Sequence, residues 1–113
     1  MPCIDCKVTV ELTEEKKEQL KSQFGKAIGI LGKPETYLMV TLSDKADIYL
    51  GGNKLDQGAS LTVSALGEIS SFDSNKMTNT LCDIIKEVTG IPPRGVYISY
   101  WSTKNWGWNG QNF

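Results

Sequence analysis

Residues 20–34 of this chain read LKSQFGKAIGILGKP, and residues 77–93 read MTNTLCDIIKEVTGIPP. Each stretch carries five apolar residues at the spacing of one helical face, and the second set repeats the first 57 residues later. The two sets are Leu20, Phe24, Ala27, Ile28 and Leu31, and then Met77, Leu81, Ile84, Ile85 and Val88. Glycine and proline end both stretches, as they end many helices. The repeat predicts two amphipathic helices in a chain built from two copies of one unit.

Alternating apolar and polar residues predict β-strands on both sides of each helix. The segments concerned are residues 6–12, 37–42, 46–50, 59–66 and 96–101, and residues 105–111 predict a short ribbon or loop. Thr13 is the predicted N-cap of the first helix, and Asp73 or Ser74 is the predicted N-cap of the second helix. Two successive strand-helix-strand units predict an α/β fold, in which a four-stranded mixed sheet carries both helices on one face. The chain is expected to form one domain over residues 1–113.

The predicted strands carry more apolar side chains than two amphipathic helices are expected to cover. These side chains include Val8, Val10, Leu38, Val40, Leu61 and Val63. An uncovered apolar sheet face or an unpaired sheet edge is a common contact surface between protein chains. We therefore expect the protein to form an oligomer through the open face or the edges of its sheet.

The composition excludes several classes of function. Lys and Arg number 12 against 13 Asp and Glu, a formal charge of −1 that leaves no basic surface for nucleic acid or a membrane. The chain has no histidine, so it cannot hold a Ser-His triad, a histidine base or a histidine-ligated zinc ion. Three cysteines are too few for a four-thiolate zinc site, and their odd number fits a reducing compartment. We expect no metal, no nucleic-acid partner and no membrane insertion.

The first six residues argue against two further roles. They contain neither the basic nor the apolar segment of a signal peptide, so we expect a cytoplasmic protein that could be exported only without such a signal. Cys3 and Cys6 have the spacing of a redox motif, but residues three apart in a strand point to opposite faces. Thiol-disulfide chemistry is therefore not expected.

Several short motifs occur along the chain in a characteristic order. They are Met1-Pro2-Cys3, Gly32-Lys33-Pro34 followed by Tyr37, Gly51-Gly52, Leu66-Gly67, Val96-Tyr97-Ile98, and Asn105-Trp106-Gly107-Trp108-Asn109-Gly110 before Phe113. Together they resemble the macrophage migration inhibitory factor family of the tautomerase superfamily, and the resemblance covers the whole chain. It implies a homotrimer of two βαβ repeats, an active site at each subunit interface, and the N-terminal proline as catalytic base.

Pro2 is also the candidate base on chemical grounds. Loss of Met1 would turn the Pro2 nitrogen into a secondary amine, the one basic group here that is able to titrate near neutrality. An apolar pocket and a nearby Lys33 would both favour the neutral, proton-accepting form of that amine. The alternative is that Pro2 only begins an edge strand, where its missing N–H does no harm.

Four further residues are candidates for substrate binding. Lys33 follows a glycine that ends a helix, so its ammonium could offset the helix dipole or bind a substrate carboxylate. The resemblance favours the second role, and it implies that Leu66 offers the backbone of its strand end to the substrate. It also implies that Tyr97 reaches the site from a neighbouring subunit, although Leu66 and Tyr97 could instead be ordinary core residues. Ser99 stands where members of the family often carry asparagine. The hydrogen bond that the asparagine side-chain amide would make to the substrate is therefore not expected here.

Aromatic residues are concentrated at the end of the sequence. Trp106, Trp108 and Phe113 lie within the last eight residues, and Tyr37 is a fourth candidate for the same cluster. Such a cluster can form the floor of a pocket for a planar ring, or it can anchor the terminal segment on a neighbouring subunit. Trp101 is predicted to pack within its strand.

These features predict an enol-keto tautomerase for small aromatic α-keto acids such as phenylpyruvate. Pro2 would move the proton, Lys33 would hold the carboxylate and the aromatic cluster would hold the ring, so no metal or organic cofactor is needed. One alternative is a cytokine-like signalling or binding protein, with a cell-surface receptor as partner and vestigial tautomerase activity. Another is a carbohydrate or ligand binder that uses Trp101, Trp106 and Trp108.

Overall fold

The computed structural model describes all 113 residues. Its strands are β1 (Pro2–Val8), β2 (Met39–Ser43), β3 (Tyr49–Leu50), β4 (Asn53–Lys54), β5 (Ala59–Leu66), β6 (Val96–Thr103), β7 (Gly107–Trp108) and β8 (Gln111–Asn112). Its α-helices are α1 (Glu14–Ala27) and α2 (Ser71–Thr89), and single 3₁₀ turns lie at Ile28–Leu31, Glu35–Tyr37 and Pro93–Gly95. No helix has the length and hydrophobicity that crossing a bilayer requires.

The four long strands form one mixed sheet in the order β2-β1-β5-β6. β1 and β2 are parallel, β5 and β6 are parallel, and the two inner strands β1 and β5 are antiparallel. Each parallel pair is joined through one helix, so the sheet consists of two βαβ units side by side. The predicted α/β fold with two βαβ repeats is confirmed.

Both helices cover the same face of the sheet and enclose one core. The core contains 17 buried residues, which include the large side chains Phe24 of α1 and Leu81 of α2. Every second residue of the inner strands points into it, as the period of a β-strand requires. Nine of the ten apolar positions in the helical repeat are buried in this core, and the tenth, Val88, packs against it. The prediction that both helices lie on one face is therefore confirmed.

The expectation of an uncovered apolar sheet face was wrong. Val8, Leu61 and Val63 are buried beneath the helices, and Val10, Leu38 and Val40 pack half-buried against the same core. These residues occupy alternate positions along their strands, and residues two apart in a strand face the same side. They therefore lie together on the face that the helices cover.

The open face is mainly polar, with three large exposed side chains. Thr41, Ser60, Thr62, Ser64 and Ser99 lie there, and so does Asp5, which accepts hydrogen bonds from Thr41 and Lys7. The large side chains are Met39, Tyr97 and Trp101, each about two-thirds exposed. The prediction that Trp101 packs within its strand was therefore wrong, because its side chain is exposed.

Several element boundaries differ from the predictions. β1 ends at Val8 rather than residue 12, and the strands predicted at 37–42, 46–50 and 96–101 span Met39–Ser43, Tyr49–Leu50 and Val96–Thr103. β1 begins at Pro2 rather than residue 6, because the alternation of buried and half-buried side chains already starts there. Helix α2 is capped by Ser70 rather than Asp73 or Ser74, and the Ser70 hydroxyl accepts a hydrogen bond from the Asp73 backbone N–H at 3.1 Å. The predicted cap Thr13 is confirmed, since its hydroxyl accepts from the Lys16 N–H at 3.2 Å.

Candidate active site

A cavity of about 750 Å³ opens where the N-terminus, the start of β2 and the C-terminal ribbon meet. It is lined by Met1, Pro2, Cys3, Thr36, Tyr37, Leu38, Met39, Ser64, Trp106, Gly107 and Trp108. Its volume lies in the range of small-molecule sites, and most of the lining side chains are hydrophobic. Four residues predicted from the sequence therefore lie together here, namely Pro2, Tyr37, Trp106 and Trp108.

Pro2 is fully buried at the start of β1, where it pairs with Ala65 of β5. The residue before it is held in place, because the Leu66 backbone N–H donates to the Met1 carbonyl oxygen at 2.9 Å. The pKa of the terminal amine on Met1 is lowered, first because burial desolvates the ammonium and second because Lys33 places a like charge nearby. A terminal amine at this end of β1 is thus biased toward its neutral form.

Lys33 lies beside the cavity and is held by Leu66. A 3₁₀ turn continues α1 as far as Leu31, and Gly32, with φ of +72°, then reverses the chain. This reversal brings Lys33 to the end of β5, where its Nζ donates to the Leu66 carbonyl oxygen at 2.8 Å. The N–H of Leu66 binds Met1 and its C=O binds Lys33, so one backbone residue joins the N-terminus to the lysine.

The aromatic wall is built by the C-terminal ribbon. β7 and β8 are joined by Asn109 and Gly110, which both have positive φ as in a tight hairpin turn. The Trp108 ring meets Tyr37 edge-on, with centroids 6.2 Å apart. The Phe113 ring stacks almost parallel to the Trp108 ring, with centroids 6.3 Å apart. The Phe113 backbone N–H donates to the Trp106 carbonyl oxygen. The predicted aromatic cluster therefore forms, with Phe113 supporting the wall from outside the cavity lining.

Tyr97 and Ser99 do not reach this cavity within one chain. Tyr97 pairs with Ser60 near the other end of β5 and Ser99 pairs with Thr62 in its middle, whereas Pro2 pairs with Ala65. Along a strand the distance from residue 60 to residue 65 is about 16 Å. The Ser99 hydroxyl accepts from the Trp101 indole N–H at 3.0 Å, and Tyr97 lines a separate cleft of about 160 Å³. A role for these two residues in the site requires a second copy of the chain.

The sequence predictions missed Cys3, Met39 and Ser64 as cavity residues. All three lie on the open face of the sheet, where Cys3 pairs with Met39 on one side and with Ser64 on the other. A strand predicted to begin at Pro2 would have placed Cys3 next to the candidate base. Burial and the nearby Asp5 raise the pKa of the Cys3 thiol, so this thiol is held in its protonated form.

Cys6 faces away from the cavity. Its side chain is buried in the core, whereas Cys3 is half-buried on the opposite face, so the predicted divergence of the two thiols is confirmed. Burial raises the pKa of Cys6 to about 12. No three His, Cys, Asp or Glu side chains lie close enough together to hold a metal ion.

Comparison with known proteins agrees with this architecture. A sequence profile of the macrophage migration inhibitory factor family matches residues 1–113. The macrophage migration inhibitory factor of Xenopus laevis is 32% identical over 96 residues, which are 83% of this chain and 80% of that protein. Crystal structures with the same fold include Leishmania major MIF2, with TM-score 0.92, 35% identity and coverage of 100% and 97% of the two chains. Another is the macrophage migration inhibitory factor of Toxoplasma gondii, with TM-score 0.90, 24% identity and coverage of 98% and 99%. By sequence and by fold, the chain belongs to the macrophage migration inhibitory factor family.

Proposed function

We propose that the protein is a keto-enol tautomerase for small aromatic α-keto acids such as phenylpyruvate, with Pro2 as its base once Met1 is removed. The observation that carries this proposal is the burial of Pro2 in a cavity walled by Tyr37, Trp106 and Trp108. None of the side chains that line that cavity is basic.

The electrostatics of the N-terminus support the role of Pro2 as base. Burial and Lys33 already lower the pKa of the amine on Met1. Removal of Met1 would move the terminal amine onto Pro2, which is fully buried while Met1 is in place. We expect both causes to act there as well, so that the secondary amine is neutral and able to accept a proton near pH 7.

The contacts of Met1 support a position for the substrate carboxylate. The Leu66 N–H donates to Met1 here, and it would lose this acceptor when Met1 is removed. The free N–H and the Lys33 ammonium would then bind a carboxylate together, since both are donors and one is charged. The aromatic ring of the substrate would lie against Trp108 and Tyr37.

The reaction needs only the groups already present. The neutral Pro2 nitrogen would take the proton from the carbon next to the substrate carbonyl, and the electron pair of that C–H bond would form the C=C bond. The carbonyl oxygen would become an enolate oxygen, which would receive the proton from the Pro2 ammonium. The product is an isomer of the substrate, and the base returns to its neutral form. Lys33 would stabilise the negative charge that develops on the oxygen.

The complete site is proposed to lie between copies of the chain in a homotrimer. Tyr97 and Ser99 are exposed on β6, where they pair with Ser60 and Thr62 and lie outside the cavity of their own chain. A neighbouring copy could therefore present them to this cavity, with Tyr97 as a wall or hydrogen-bond donor. The large exposed side chains on the open face and at the sheet edge support a contact between copies.

The decisive experiment uses protein whose loss of Met1 has been established by mass spectrometry. We expect this protein to interconvert the keto and enol forms of phenylpyruvate and Pro2→Gly to lose essentially all turnover. Pro92→Gly is a matched control, because Pro92 lies outside the cavity, before a 3₁₀ turn at the start of β6. Equal turnover by Pro2→Gly and wild type would remove Pro2 from the mechanism. Absence of turnover in wild type, together with binding of the oligomer to a cell-surface receptor, would favour the signalling function instead.

A further inference from the structure

We propose that Gly67 is a positioning residue, whose backbone conformation orients the Leu66 peptide so that its carbonyl holds the Lys33 ammonium next to the N-terminal amine. This inference rests on the proposed function for the role of that amine as base. Gly67 itself would touch neither the substrate nor the base.

The Leu66–Gly67 segment connects three separate parts of the chain. Leu66 donates its N–H to Met1 and accepts from Lys33 Nζ through its carbonyl, at 2.9 and 2.8 Å. Gly67 donates its N–H to the Thr103 carbonyl at the end of β6, also at 2.9 Å. The direction of the Leu66 carbonyl is therefore fixed from both sides by hydrogen bonds of the same short segment.

The backbone conformation at position 67 favours glycine. Its φ is +92°, a conformation that L side chains rarely adopt. A Cβ at this position would also lie 3.4 Å from Lys33 Nζ, on the surface of the ammonium. A side chain here would thus strain the peptide that holds Lys33 and would occupy space beside its charge. Lys33 is otherwise a long flexible side chain, and no carboxylate lies within ion-pair distance of its ammonium.

The test compares Gly67→Ala with a control that has a similar backbone cost. Gly90→Ala is this control, because Gly90 ends α2 with φ of +80° and a Cβ there would meet only Gln57, at 3.9 Å. Two quantities are measured on Met1-processed protein. The first is the pKa of the Pro2 amine from an NMR titration of the ¹⁵N-labelled N-terminus, and the second is KM and kcat for phenylpyruvate.

We expect Gly67→Ala to raise the pKa of the Pro2 amine toward its usual value and to raise KM about tenfold. Gly90→Ala should lower the melting temperature by a similar amount but change neither quantity. In a Lys33→Ala background, Gly67→Ala should add nothing further, since both changes act on the same ammonium. If Gly67→Ala behaves like Gly90→Ala, or its effects add fully to those of Lys33→Ala, the positioning role is wrong.

Two provisions keep the result decisive. If Gly67→Ala does not fold, Gly67→Asn replaces it, because asparagine tolerates positive φ better than alanine and still adds a Cβ. If the processed wild type shows no turnover, the proposed activity fails, but the NMR titration still decides whether Gly67 acts through Lys33. An unchanged amine pKa in all the Gly67 variants would then reject the inference by itself.

Discussion

The candidate chemistry at the residue scale depends on the environment of a single nitrogen atom at the start of β1. Burial and the charge of Lys33 both lower the pKa of the terminal amine on Met1, and we expect the same two causes to act on the Pro2 amine once Met1 is removed. A lowered pKa means that the amine is neutral at lower pH. The activity should therefore rise with pH through the pKa of the Pro2 amine, and this rise should lie at lower pH than the pKa of an exposed N-terminal proline.

Lys33→Ala tests the electrostatic part of this argument. Removing the like charge should raise the pKa of the amine, so the acid limb of kcat/KM for phenylpyruvate should move to higher pH. KM should also increase about tenfold, because a charged partner of the carboxylate is lost. Lys26→Ala is the control, since Lys26 is an exposed lysine in the last turn of α1. An acid limb at the same pH in both variants would contradict the proposed influence of Lys33.

Trp108→Ala tests the binding of the aromatic ring. Trp108 contacts Tyr37 by its edge and Phe113 by its face, so its loss removes the central ring of the cluster. KM for phenylpyruvate should increase roughly tenfold, with a smaller change for an aliphatic α-keto acid of similar length. Phe72→Ala, on the exposed start of α2, should change neither value. Equal losses for both substrates would show that Trp108 does not select for a ring.

At the scale of elements, the two βαβ units share the spacing of their buried helical residues, but their helices begin at different distances from those residues. Both units bury the same five positions of the repeat except for half-buried Val88, although Ile28 and Leu31 lie in the 3₁₀ turn that follows α1. Both helices are capped by a hydroxyl that accepts a backbone N–H. The cap of α2 was mispredicted because Asp73 and Ser74 lie closer to the apolar stripe. α2 extends to Ser71 as a solvent-exposed first turn, which the spacing of buried residues does not reveal.

Ser70→Ala should therefore reduce the free energy of unfolding by about 1 kcal/mol, the usual cost of losing such a cap. Ser74→Ala should change the stability little, because Ser74 lies within the first turns of the helix and its hydroxyl donates only to the Ser71 carbonyl. Chemical denaturation of the two variants and the wild type at one protein concentration measures the difference. A loss in Ser74→Ala at least as large as in Ser70→Ala would contradict the cap assigned here.

On the scale of the whole molecule, one chain holds only part of the proposed site. Pro2 and the aromatic wall lie at one end of the sheet, and Tyr97 lies about 16 Å from the base along β5. Light scattering should give a mass in solution of three times the 12.5 kDa of the chain. A monomer that is fully active would contradict a site shared between copies.

Mixing two inactive variants tests the shared site directly. Pro2→Gly and Tyr97→Ala should each reduce turnover strongly when assembled alone, although the two residues are far apart in one chain. Refolding the two variants together should restore part of the activity, because some interfaces then combine an intact Pro2 with an intact Tyr97. A mixture of Pro2→Gly with Trp108→Ala should have no more activity than its Trp108→Ala chains have alone, since both residues line the cavity of the same chain. No recovery with Tyr97→Ala would contradict a site that takes Tyr97 from a neighbouring copy.

Local patterns in the sequence were sufficient for the βαβ repeat, the Thr13 cap, the span of β5 and the aromatic ribbon. Each depends on residues near one another along the chain, such as the helical spacing from Leu20 to Leu31 or the turn at Asn109 and Gly110. The family resemblance added Pro2, Lys33 and Leu66 as candidates, and these are grouped around the N-terminus in the structure.

The strand order, the polar open face and the positions of Cys3, Met39 and Ser64 could be known only after folding. They follow from pairings between strands that are distant in sequence, and a one-residue change of register would have moved each side chain to the opposite face. The hydrogen bond from Lys33 to Leu66 also depends on folding, because it joins residues 33 positions apart. Its acceptor is a backbone carbonyl, which every residue has, so the sequence does not identify it. The local spacing of apolar residues predicts which residues are buried. The geometry of the cavity depends instead on contacts between residues that are far apart in the sequence.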